Sequence, residues 1–290
     1  LSPRIGTTLL ALAAAGSLAA QDSAAAGSPD PWPTVQYEIV EAGPAWRRVA
    51  DAATAASIYD GPGLFFGNGN VKREPHRIQA YRSWFGYHRI DPPSGPTTQE
   101  LFMTFTYGHA WRFRRWERTY LAAGPMAELL GPMRFTPGLN NSFLSWEVVG
   151  GLGPWLHAER QARSPFSDRR WTWYAEGSTL LGAYVNRPLY GLVLDRDQPQ
   201  DERWSWIGEL VRLQAEVGFT VLRTKPPCRD KPFDRWKLAY RWELLHWAPD
   251  DGQAVTAALH QLQLGLMIGQ DREADRRARE RRRAERRAAR

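Results

Sequence analysis

The chain is poor in three things. It has one cysteine in 290 residues, no apolar run of membrane-helix length in its body, and little net charge outside its last twenty residues. A single thiol, Cys228, closes no internal disulfide and builds no multi-cysteine metal site. Its setting, Pro-Pro-Cys-Arg-Asp-Lys-Pro, reads as a turn carrying a loop thiol. Without a stretch of about 20 apolar residues, a helical membrane span is excluded. That says nothing against a membrane β-barrel, whose strands alternate and score as only mildly hydrophobic. Of the net charge of +7, Asp271–Arg290 supplies ten Arg against five acids, which leaves +2 for the rest. The basic balance therefore belongs to a tail, and no nucleic-acid partner is expected from the body. At 43% hydrophobic residues, global disorder is excluded as well.

What the chain does have is a rhythm of two. From Leu101 to Arg114, Met103, Phe105, Tyr107, Trp111 and Phe113 fall on one face, with Thr104, Thr106, Arg112 and Arg114 on the other. A period of two puts alternate side chains on opposite faces of a strand. The same reading gives eight segments, at about 35–41, 77–90, 101–114, 143–158, 170–186, 211–221, 233–247 and 255–269. In the first, Val35, Tyr37 and Ile39 form the apolar face against Gln36 and Glu38.

Several segments alternate for ten residues or more. Globular strands average about five or six, whereas a tilted membrane strand needs about 9–11. The connections at 42–76, 115–142 and 187–203 are long and those between them shorter, as in outer-membrane barrels with unequal loops. The 14 tryptophans add to this. Trp116, Trp155, Trp171, Trp204, Trp236 and Trp247 fall near strand ends, where indole suits the boundary between hydrocarbon and headgroups. If the apolar faces meet lipid, Arg112, Arg114, Glu147, Glu176, Arg212, Glu216, Arg241 and Glu243 face a lumen. Eight strands enclose an interior just wide enough to be filled by side chains. Mixed Arg and Glu there would pair into plugs, because unpaired buried charge is costly.

The ends carry their own signals. Arg4 precedes the uncharged, Leu- and Ala-rich Ile5–Ala20, and small residues at Ser17, Ala19 and Ala20 suit a cleavage site. Residues 1–20 read as a signal peptide, 21–33 as a polar linker, 34–270 as the barrel and 271–290 as an Arg-rich tail. The tail has the composition of a helical or disordered extension. It could touch an anionic periplasmic polymer.

Leu152-Gly153-Pro154, followed by Trp173–Gly182 ending in Ser178-Thr179-Leu180-Leu181-Gly182, resembles porin-like outer-membrane proteins. The likeness is to the family named for the major outer membrane protein of Legionella. It implies a signal peptide followed by one barrel, pore-forming or structural, and carries over no functional residue.

Chemistry is scarce. The six histidines show no helical metal spacing, and no cofactor is expected. Gly67-Asn68-Gly69-Asn70 precedes no helix carrying a phosphate-binding Lys and reads as loop or strand-bend glycines. His109 with Ser142 or Ser145 could be imagined as a hydrolase site, yet His109 lies on the apolar face of its strand. The expectation is an all-β, antiparallel transmembrane barrel of about eight strands, non-enzymatic, exported to the outer membrane and bathed in its lipid. It would be structural or porin-like. The alternatives are a soluble periplasmic barrel that binds an apolar ligand and, behind it, a lipid-modifying barrel enzyme.

Overall fold

A computed structural model describes Trp32 and residues 34–51, 55–116, 118–137, 144–163, 170–188, 200–222, 233–249 and 254–269. The proposed signal peptide, most of the linker, Ser142, Cys228 and the Arg-rich tail lie outside the described residues. Thirteen strand segments form one antiparallel sheet and no helix occurs among the described residues. They are β1 (Val35–Asp51), β2 (Ala55–Arg73), β3 (Arg77–Ile90), β4 (Thr98–Trp116), β5 (Thr119–Phe135), β6 (Leu144–Trp146) and β7 (Val148–Arg163). These are followed by β8 (Arg170–Thr179), β9 (Gly182–Pro188), β10 (Gln200–Trp206), β11 (Leu210–Leu222), β12 (Phe233–Trp247) and β13 (Val255–Gly269).

The sheet closes on itself. β1 pairs with β13 from Tyr37↔Gly269 to Asp51↔Val255, and the circuit runs β1-β2-β3-β4-β5-β7-β8-β11-β12-β13. Ten strands make the ring. The other three segments prolong ring strands past an irregularity: β6 leads into β7 at Glu147, β9 continues β8 after Leu180-Leu181, and β10 leads into β11 across 207–209. The start of β1 and the end of β13 share one end, called proximal here; the other is distal.

Ten strands, not eight, correct the sequence reading. The long connections expected at 42–76 and 115–142 hold the second half of β1, all of β2 and all of β5. The loop asymmetry drawn from them therefore falls away.

β2 and β5 hide because their glycines and prolines look like turns. Gly67 and Gly108 point inward where a neighbouring strand projects a bulky ring. A Cβ on Gly67 would lie 2.7 Å from Trp84 and 2.9 Å from Glu41, and one on Gly108 would lie 2.6 Å from Trp155. A strand glycine marks such close approach. Five Gly-Pro pairs go further: 43–44, 61–62, 124–125, 131–132 and 153–154 each fall where a strand ladder skips residues. Proline has no N–H to give its neighbour. At Gly43, Gly61, Gly124 and Gly153 a carbonyl oxygen of the adjacent strand fills the space a Cβ would need. Such breaks bend a strand and sharpen its coil, which suits a narrow barrel.

The polarity is the reverse of a soluble barrel. Leu64, Leu101, Leu152, Trp204, Trp236 and Leu264 stand on the outer wall, each more than half exposed. Glu41, Arg82, Glu100, Arg134, Arg212 and Glu216 point inward and are buried. Seventeen residues at about 3.3 Å each, tilted near 40°, rise roughly 40 Å, more than the ~25 Å apolar band of a membrane barrel. A barrel built to hold an apolar ligand would need the opposite arrangement. One strand start is inverted from its sequence reading: Tyr37 and Ile39 of β1 are buried inside and Glu38 is exposed outside.

Candidate functional site in the barrel interior

The interior holds layers of ion pairs between apolar ends. Alternation sends every second residue inward, so each charged group is placed by its strand parity and fixed by partners across the lumen. In the distal layer, Arg134 donates to Glu100 at 2.7 Å, Glu147 at 2.9 Å and Asp51 at 3.2 Å. Arg187 also meets Asp51, and Arg47 lies 2.8 Å from Glu100. His88 stacks on Phe102 with its Nδ1 3.7 Å from Glu100.

The middle layer turns on Arg212, which donates to Glu128 and Glu243, both at 2.7 Å. Arg241 donates to Glu243 and to Gln214 and stacks 3.8 Å over Trp84, whose Nε1–H bonds Glu41 at 2.6 Å. Nearer the proximal end, Lys237 meets Glu41 and Glu216, and Arg82 meets Glu176 at 2.6 Å and Glu216 at 3.1 Å. The ring nitrogens of His157 lie 2.9 Å from Glu159 and 3.1 Å from Glu176. Only an imidazolium donates from both nitrogens. Arg73 pairs with Glu159 and lies under Trp32, which is wholly buried against Tyr120 at the proximal mouth.

Apolar clusters close both ends of this stack. The distal one includes Val49, Tyr59, Ile90, Leu130, Leu180 and Trp247; the proximal one includes Trp32, Tyr37, Ile78, Tyr120 and Trp155. Two cavities of about 30 and 50 Å³ lie inside. The smaller is lined by Arg82, Trp84, Trp155 and Glu216; the larger by Arg73, His157, Thr220 and Arg235. Volumes of this size hold a few waters. Thr220 Oγ1 and Arg235 Nε have no protein partner and line the larger one, so water suits them. Among the described residues no group of three His, Cys, Asp or Glu is placed to hold a metal.

Glu147, Glu176, Arg212, Glu216, Arg241 and Glu243 are brought together in this network. Arg112 is not part of it. It sits half-buried at the proximal mouth, over Tyr120 and donating to the Pro75 carbonyl. A bulge between Arg112 and Arg114 turns Arg114 outward, opposite Leu121, where it is exposed. Of the six tryptophans placed at the membrane boundary, Trp204 and Trp236 stand outward and Trp171 stacks on Phe219 at 4.8 Å. Trp155 and Trp247 point inward and are buried, and the Trp116 side chain is outside the described residues. Strand parity distinguishes them: Trp155 shares its face with Gly151 and Gly153, not with Leu152 and Leu156. Sequence reasoning missed Glu41, Asp51, Glu100, Glu128 and Arg134, whereas Arg82 and Lys237 fall on the polar faces of segments 77–90 and 233–247. Glu128 and Asp51 lay in supposed loops, and Glu41 ended a face taken as apolar.

His109 faces outward, 3.0 Å from Gln79 and 4.7 Å from the Trp111 ring, while Ser145 is buried on the inner face at the distal end. Those two do not form a catalytic pair. Outside the strands, Glu74 in the β2–β3 turn is held down to about 2, first by its hydrogen bond from Arg77 and then by Lys72.

No protein-family model matches the chain, and no curated protein does. Neither comparison supports membership of the Legionella-type family. Solved structures with likeness are bacterial outer-membrane proteins. The outer membrane protease OmpT from Escherichia coli aligns at 9% identity and TM-score 0.47, over 86% of this chain and all of that one. The translocator domain of the autotransporter NalP from Neisseria meningitidis aligns at 10% and 0.32, over 91% and 95%. The transport unit of the autotransporter AIDA-I from Escherichia coli aligns at 10% and 0.32, over 92% and 99%.

Proposed function

We propose that the protein spans the outer membrane as a closed, non-catalytic barrel, acting through its wall and rims instead of passing solutes through its lumen. The observation that carries this reading is the inverted polarity combined with a filled interior. Arg212, Glu100 and Trp247 are each 1% exposed or less. Water does not reach them from either mouth, so a hydrated solute does not pass. Burying so many charges costs several kcal/mol each unless every one is paired, and the ion-pair layers supply the pairing. Of the structural and porin-like roles, the structural one fits. Export by the segment at 1–20 accords with a periplasmic position for both ends of the ring.

Two measurements test it. Folded protein in outer-membrane extracts should migrate faster on a detergent gel when unheated than when boiled. In planar bilayers it should show no steady conductance. Recovery of the unheated protein in the soluble periplasm, or stable channel openings of porin size, would refute it.

A further inference from the structure

The bulge that turns Arg114 outward sits at the edge of the apolar wall. On β4 the outward face reads Trp111, Phe113, then Arg114, with Trp111 54% exposed. Arg114 does not stand alone. Arg77, paired in register with Trp111, is outward and exposed, and beside it Lys72 shares Glu74. Arg118 in the β4–β5 turn is exposed, and its carbonyl accepts from Gln161, next to the outward, exposed Arg160. These five cations follow one another around the proximal rim from β2 to β7, with Glu38 and Glu74 the nearby acids among the described residues. The distal rim differs. There Arg48 and Arg89 are matched by Asp60, Asp91 and Glu202, all exposed.

We infer that this proximal arc binds the phosphates of anionic phospholipid headgroups in the membrane leaflet it meets. The inference rests on the membrane-barrel reading and adds to it a lipid class and an orientation. An aromatic followed outward by arginine is the order an interface presents: ring at the hydrocarbon boundary, guanidinium at phosphate depth. Guanidinium forks fit phosphate oxygens in a bidentate manner. Near an anionic surface each cation contributes about fivefold in affinity, roughly a hundredfold for three.

The test compares wild type with Arg77→Gln/Arg114→Gln/Arg118→Gln and with the same three sites changed to Lys. Each protein is folded in vesicles of equal phosphatidylglycerol and phosphatidylcholine, checked for the heat-dependent gel shift, extracted, and assayed by native mass spectrometry for retained lipid. Wild type should keep phosphatidylglycerol in preference to phosphatidylcholine. The Gln variant should lose that preference by roughly a hundredfold at low salt, and the Lys variant should restore much of it. Equal preference in wild type and the Gln variant, or none in wild type, overturns the inference. So does Gln-sensitive binding to an acidic cell-wall polymer without lipid preference. If the Gln variant does not fold, salt titration of wild type decides, because a headgroup preference that survives about 0.5 M salt is not this electrostatic contact. A wild type without the gel shift fails at the barrel reading itself, which is a distinguishable result.

Discussion

Replacing Arg134 with Met should destabilise the barrel by about 3 kcal/mol, and the reason lies in which carboxylate is orphaned. Arg134 bonds Glu100, Asp51 and Glu147, and all four groups are nearly inaccessible. Each contact sets opposite charges about 4 Å apart, worth roughly 4 kcal/mol at an effective dielectric near 20. Desolvation offsets most of that total, and breaking one buried pair costs about 3–5 kcal/mol net. After the substitution Arg47 still faces Glu100 and Arg187 still faces Asp51. Only Glu147 is left without a cation within ion-pair distance among the described residues, which places the cost at the low end. Adding Glu147→Gln removes the orphaned charge, so the double variant should recover to within about 1–2 kcal/mol of wild type. Equilibrium urea unfolding in phospholipid vesicles, followed by tryptophan emission, measures all three proteins. Equal destabilisation of the single and double variants would show that packing, not charge, holds this layer. A single variant within about 0.5 kcal/mol of wild type would refute a dry network.

Other perturbations probe the wall, the packing and the turn. Leu262→Arg, at the middle of β13 on the outer face, should cost about 2–4 kcal/mol in a bilayer; a neutral result in the same unfolding assay would contradict lipid contact there. Gly67→Val drives a side chain into Trp84 and Glu41, so it should cost about 1–3 kcal/mol by overpacking, with a Trp84→Ala background relieving the clash. The carboxyl of Glu74 is depressed in the folded state, so its turn contact stabilises above the ordinary value of 4.5 and is lost as pH falls through about 2. The stability difference between wild type and Glu74→Gln should therefore be present at neutral pH and vanish in strong acid, and a difference that grows on acidification would reverse the sign.

The strands that alternate without interruption were legible in the sequence, and those that carry the packing were not. β11 and β13 set Leu213 and Val217, or Leu262 and Leu264, against inward polar residues, and pattern alone finds them. β2 reads Asp-Gly-Pro-Gly-Leu-Phe-Phe-Gly-Asn-Gly-Asn, in which four glycines occupy inward positions because β3 fills the space, with the rings of His88 and Trp84 at Gly63 and Gly67 and with backbone carbonyls at Gly61 and Gly69. A turn and a strand that yields its volume to a neighbour have the same composition, and only tertiary contact separates them. The same holds for the charges. Glu147, Glu176, Arg212, Glu216, Arg241 and Glu243 were legible by parity within recognised strands, whereas Glu128 and Asp51 were lost with the loops that proved to be strands. Arg114 shows the remaining limit, since one bulge reverses the face of every residue after it.

The charge count inside the barrel bears on whether the lumen opens. Glu41, Asp51, Glu100, Glu128, Glu147, Glu159, Glu176, Glu216 and Glu243 face Arg47, Arg73, Arg82, Arg134, Arg187, Arg212, Lys237 and Arg241. The imidazolium of His157, between Glu159 and Glu176, and Arg235 beside the larger cavity add to the cations, so among the described residues the two signs come within one charge of each other. A water-filled channel has no need of such a balance, because solvent screens each group and an excess of one sign sets ion selectivity. A dry interior does need it, because each unmatched charge there costs several kcal/mol. The pairs also join strands far apart around the ring: Arg134 of β5 reaches Asp51 of β1, Arg82 of β3 reaches Glu216 of β11, and Arg212 of β11 reaches Glu128 of β5. Where Gly-Pro breaks remove ladder bonds, these cross-lumen bonds tie the wall together from within. Opening the lumen would break them together, so closure is a property of the whole charge set and not of one gate.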